Sequence, residues 1–167
     1  MAVLCACLVV ICYYDYTKGR IPNIFVCGIF IWGMGYMFRS SGEGGVLKYL
    51  FAVPVVLLLL YPLFRIGGLG AGDVKLLCVC AGFFPYSKIF IFLFLSLLFS
   101  AIISLFVLLK ERDWKDRFSY FCEYCAAVAK SGQWKLYYPS SRKGRLRGVC
   151  MSGPILCSAL LGLGGFY

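Results

Sequence analysis

The chain has no histidine, few acidic residues (seven Asp and Glu in 167), and only 14% charged residues in all. Without histidine, the commonest general base and the commonest metal ligand are both missing. So little charge excludes an ordinary soluble globule, which runs near a quarter charged, and it excludes the disordered classes as well. What is present is apolar: 62% of residues are hydrophobic and the mean hydropathy is +0.86. A water-soluble chain of this length cannot hide that much apolar surface, because too much of it must face water. The solvent this composition requires is lipid.

The formal charge is +10. In a soluble protein that would point to nucleic acid; in a membrane protein it is the signature of cytoplasmic loops rich in Lys and Arg. Nucleic acid is therefore not expected as a partner. Ten cysteines would imply a disulfide framework only in a short secreted chain. Eight of these (Cys5, Cys7, Cys12, Cys27, Cys78, Cys80, Cys150 and Cys157) lie in apolar runs, where cysteine behaves as a small hydrophobe.

A helix needs about 20 apolar residues to cross the hydrocarbon core. The stretches 21–38, 89–109 and 148–167 qualify free of charge, 46–64 carries only Lys48, and 66–87 contains Asp73 and Lys75. The run 2–14 is short. It is read as a span that locally thins the bilayer or as an amino terminus missing some residues, with a signal peptide as the weaker alternative. The expectation is an all-α integral membrane protein of six transmembrane helices, a single domain over residues 1–167. With six helices, the linkers 15–20, 65–75 and 110–147 share one side. Only Arg39, Lys48 and Lys88 of the 17 basic residues fall on the other. That asymmetry makes the first side cytoplasmic.

Residues 110–147 form the one sizeable polar segment. Trp114, Phe118, Phe121, Cys125 and Val128 recur at steps of three and four, the spacing of one helical face. An amphipathic cytoplasmic helix is expected there, lying on the membrane surface or packed on the bundle, with the basic stretch 142–147 after it.

An ionisable residue at membrane depth is a functional candidate by default. Asp15 closes the first run and Asp73 opens the fifth, and parity places both at the cytoplasmic end. Each taken alone has a plain alternative, an ion pair with Lys18 or with Lys75. Together, two converging carboxyls share one proton, so that one activates water while the other donates to a carbonyl. That is aspartic-protease chemistry, and it needs neither metal nor cofactor. Ahead of Asp73 runs Gly67-Gly68-Leu69-Gly70-Ala71-Gly72, backbone that another chain can approach closely. It is not a P-loop, for Gly-Lys-Ser/Thr is missing.

Asp15, followed by Ile21-Pro22-Asn23, resembles the first signature of the type IV prepilin peptidases. Gly70-Ala71-Gly72-Asp73, followed by Val74-Lys75-Leu76, resembles their second, G-x-G-D, and Gly153-Pro154 in the last helix also fits the resemblance. The resemblance implies a multi-pass aspartic endopeptidase of the cytoplasmic membrane. Its partners are the bilayer and a prepilin-like substrate, whose leader it removes at the cytoplasmic face. Asp15 and Asp73 carry over as the catalytic pair. Gly70 and Gly72 carry over as motif glycines, and Ile21, Pro22, Asn23 and Lys75 as motif support. Longer family members insert a domain with two C-x-x-C pairs after the first helix and also methylate the new amino terminus. Here Asp15 is followed within six residues by Ile21, and the lone C-x-x-C, Cys122–Cys125, lies in another loop. The expected enzyme is therefore a peptidase without methyltransferase activity, closest to the compact tight-adherence or archaeal branch. Three rivals stand beside it: a presenilin-like intramembrane protease, an ion- or proton-coupled transporter using the same two aspartates, and an idle assembly subunit.

Overall fold

The computed structural model describes residues 2–19, 21–110 and 150–166. The expected amphipathic face at 114–128, the Cys122–Cys125 pair and the basic stretch 142–147 lie outside the described residues. The described residues fold as helices: α1 (Ala2–Lys18), α2 (Asn23–Arg65), α3 (Ala71–Ala81), α4 (Tyr86–Lys110) and α5 (Ser152–Leu163). No strand occurs among them.

On α1, Leu4, Leu8, Ile11 and Asp15 are buried. Steps of four, three and four put all four on one face, so the aspartate ends the same stripe that packs the helix inward. Gly19 closes α1 in the left-handed region, φ +61°, with its N–H on the Asp15 carbonyl at 2.8 Å. Glycine takes that conformation without a Cβ penalty. Pro22 stands just ahead of α2, at φ −65° and ψ 131°.

The 43 residues of α2 do not run straight. Gly42 breaks the helical conformation at φ 62°, ψ −150°. A Cβ on Gly33 would meet the Tyr49 ring at 2.6 Å, although a continuous helix would hold those positions about 24 Å apart. The element therefore goes out and back, turning inside the expected 39–48 linker. Tyr49 keys its two halves to α3: its ring lies over Gly82, and its hydroxyl donates to the Val79 carbonyl at 3.2 Å. At the same end, Tyr86 donates to the Lys48 carbonyl at 3.3 Å, joining the segments 39–48 and 86–88 that charge counting assigns to one side.

Composition predicts six spans; two of the described helices, α2 and α4, are long and apolar enough to cross a membrane. Only 22% of the most apolar window of each is buried. A core helix of a soluble protein would be mostly covered, whereas here Ile31, Leu58, Phe94 and Phe106 are all exposed, a surface suited to lipid. The chain is a membrane protein. The stretch 66–87 is interrupted: Gly67 turns at φ +82°, and its helix is only the 11 residues of α3. α3 packs most extensively on α2, while α5 packs on α1 and α4. At the latter contact Ser158 donates to the Phe92 carbonyl at 2.9 Å.

Candidate active site

Asp15 reaches the site from the last turns of α1 and is 7% exposed. A buried carboxylate needs hydrogen-bond donors, and one comes from far along the chain: Ser152, at the start of α5, donates its hydroxyl to Asp15 Oδ2 at 2.7 Å. The adjoining Cys150 thiol donates to the Asp15 main-chain carbonyl at 3.7 Å.

Asp73 occupies the first turn of α3, outside α2 and α4, the two helices long and apolar enough to cross a membrane. Gly70 is the N-cap, and the Asp73 side chain folds back to accept from its backbone N–H. An acid three residues past the cap satisfies an otherwise unpaired amide in this way. A Cβ on Gly70 would come within 2.7 Å of Asp73 Oδ2, so the first motif glycine is what lets the carboxyl sit there. Burial first, and then the charge of Asp15, push the Asp73 carboxyl up to about 6, against the Gly70 hydrogen bond that favours its charged form. Asp73 thus holds a proton into the mildly acidic range.

The two signature segments meet. A Cβ on Gly72 would stand 3.3 Å from the Ile21 Cβ, so the second motif glycine lets the Ile21 side chain close over α3. Lys75 donates to Asn23 Oδ1 at 3.3 Å. The ion-pair alternatives are not realised among the described residues: Lys75 turns to Asn23, and the Lys18 ammonium lies 5.0 Å from the Tyr14 ring centroid. A cavity of about 320 Å³ is lined by Asp15, Gly19, Ile21, Asn23, the segment 70–73 and Lys75. Every residue expected at the site lines it except Pro22, which is flanked by two that do. Arg20 lies outside the described residues.

Sequence reasoning missed Ser152 and Cys150. The available signal was faint: a hydroxyl at the mouth of an otherwise apolar run, directly before Gly153-Pro154.

Chemically, the arrangement offers two carboxyls lining one small cavity. One is buried and held by a hydroxyl; the other is biased towards its protonated form. The profile of the type IV leader peptidase family matches residues 2–105, which hold both aspartates and both signature segments. No curated protein and no solved structure gives a significant match.

Proposed function

The chain belongs to the type IV leader peptidase family, and from that premise we propose that it removes the leader of a prepilin-like protein with Asp15 and Asp73 as an aspartic dyad. The observation that carries the reading is that both carboxyls line one cavity, beside the contacts Ile21–Gly72 and Lys75–Asn23. Water between the carboxyls attacks the scissile carbonyl carbon. Asp15 accepts a proton from that water, and Asp73 donates its proton to the carbonyl oxygen. Collapse of the tetrahedral species breaks the C–N bond: Asp73 takes back the proton of the hydroxyl it formed as the C=O is restored, and the proton taken up by Asp15 passes to the leaving amine. The pair ends with one proton, as it began. No metal or cofactor enters this scheme.

In this reading the chain crosses the membrane six times. Each half of α2 is about 20 residues, or about 30 Å, on either side of Gly42, which is enough for the hydrocarbon core. Three further crossings by the segments around α1, α3 and α5, with α4, leave the basic linkers 15–20, 65–75 and 110–147 on the cytoplasmic side. The dyad then works at the cytoplasmic face of the inner membrane. Nothing between Asp15 and Ile21 supplies the paired C-x-x-C motifs of the methylating members, so the activity is peptidase alone.

The test is a purified prepilin-like protein incubated with the enzyme in detergent or liposomes, read by mass. A loss of leader length is expected. Asp15→Asn and Asp73→Asn should each cut the rate by about a thousandfold or more, the scale on which losing one member of a catalytic unit acts, while still inserting. Near-normal turnover by either variant overturns the dyad; ion-coupled flux without cleavage makes the protein a transporter.

A further inference from the structure

Ser152 lies beyond residues 2–105, the part matched by the family profile. It is completely buried, and its hydroxyl has a 2.7 Å bond to a single oxygen of Asp15, 137 residues away. A serine at a helix start ordinarily turns its oxygen onto the amides of its own first turn. Here the N-cap is Met151 and no side chain caps α5, so the hydroxyl serves α1 instead. Cys150 cannot substitute, because its thiol is directed to the Asp15 main-chain carbonyl. Among the described residues, Asp15 Oδ1 has no protein hydrogen bond.

The geometry points to Ser152 as the positioning residue of the dyad: by holding Asp15 Oδ2 it fixes the carboxylate's rotamer and leaves Oδ1 for the reacting water. An aspartate with one oxygen pinned turns only as far as that bond allows. Unpinned, at the end of α1, it samples several staggered positions. Reaction requires near-attack geometry, and misplacement by about 1 Å costs on the order of a hundredfold. The inference rests on the peptidase reading for its catalytic meaning, but the contact itself can be read without any substrate.

Two measurements test it. In the first, kinetics on a prepilin-like substrate compare wild type with Ser152→Ala, Ser152→Thr and Ser152→Val. Thr and Val share a shape and differ in the hydroxyl, which separates hydrogen bonding from packing. The Ala and Val variants should lose about 10- to 100-fold in kcat with KM nearly unchanged, while Thr recovers most of the rate. Full kcat in Ser152→Ala, or Val performing as well as Thr, overturns the role. In the second, infrared spectra of the enzyme without substrate isolate the Asp15 carboxyl band by difference from Asp15→Asn. Ser152→Ala should shift and broaden that band, and Ser152→Cys, a near-isosteric weak donor, should shift it less. An unmoved band in both overturns the inference whatever the substrate kinetics. A shifted band in a protein that cleaves no prepilin brings down the peptidase reading and upholds the contact.

Discussion

Ile21 and Gly72 touch so closely that a Cβ on the glycine would stand 3.3 Å from the isoleucine Cβ. The other motif glycine is tighter against a functional group, 2.7 Å from Asp73 Oδ2. The two positions therefore fail differently. Gly70→Ala pushes the carboxyl itself off its place, and cleavage should fall by about a hundredfold or more. Gly72→Ala presses on a branched side chain that can give by a few tenths of an ångström, so a loss nearer tenfold is expected, with stability lowered by about 1–3 kcal/mol. Initial rates and detergent melting curves check both; equal, mild effects would show that the carboxyl is not confined by Gly70.

Lys75 and Asn23 form the second bridge between the signatures, at 3.3 Å. Both line the cavity, and the bond is exposed, so its worth in stability is small. Lys75→Met should leave the melting temperature within about 2 °C of wild type and lower kcat/KM several-fold, because the charge beside the carboxyls and the tether to the start of α2 are both lost. A large drop in stability with unchanged kcat/KM would make Lys75 a purely structural residue.

Much of the site was legible because it is local. The stripe Leu4, Leu8, Ile11, Asp15 follows from helical spacing, and the glycines at 70 and 72 sit one turn or less from Asp73. What stayed hidden depended on distance along the chain or on breaks that hydropathy does not register. The partner of Asp15 comes from α5, and no periodicity links position 15 to 152. The apolar stretch 66–87 reads as one span because turns at Gly67 and after Gly82 barely change its hydropathy, yet they confine α3 to 11 residues. The fold-back within α2 was visible as the 39–48 linker, but Gly42 as its pivot was not.

Tyr49 joins the halves of α2 to α3 through a ring over Gly82, 2.5 Å from a Cβ built there, and through its hydroxyl on the Val79 carbonyl. Tyr49→Phe keeps the ring and leaves a buried carbonyl without that donor, which should cost about 1 kcal/mol. Gly82→Ala places a methyl against a packed ring backed by Phe83 and should cost about 1–3 kcal/mol or more. Unfolding in detergent reads both. Gly82→Ala proving the milder change would show that the ring is not clamped.

The raised value of Asp73 makes a prediction about stability that needs no substrate. A carboxyl at about 6 in the folded protein against 3.8 ordinarily binds its proton more tightly when folded. Its favourable contribution is therefore complete below about pH 3.8 and is lost as pH rises through about 6. Wild-type melting temperature should fall across that window. Asp73→Asn, which cannot ionise, should be flatter there and melt a few degrees higher at pH 7–8. A variant that is no more stable than wild type at pH 8 would mean that the charge at position 73 is not penalised by its surroundings.

The rate of cleavage should be bell-shaped in pH, because hydrolysis needs one carboxyl protonated and one ionised. The two steps belong to the pair rather than to either residue. The upper step is the one opposed by the charge already present, and burial, with the Asp15 charge, pushes the Asp73 carboxyl up to about 6. Above it the dyad loses its remaining proton, so the rate should fall about tenfold per pH unit; below the lower step both carboxyls are protonated, no base remains, and the rate falls again. The maximum should lie on the acid side of neutrality. Initial rates in liposomes from pH 4 to 9, with insertion and folding checked at each point, decide the matter. A rate that climbs steadily into alkaline conditions, with no falling limb, would exclude a shared proton and with it the division of labour between Asp15 and Asp73.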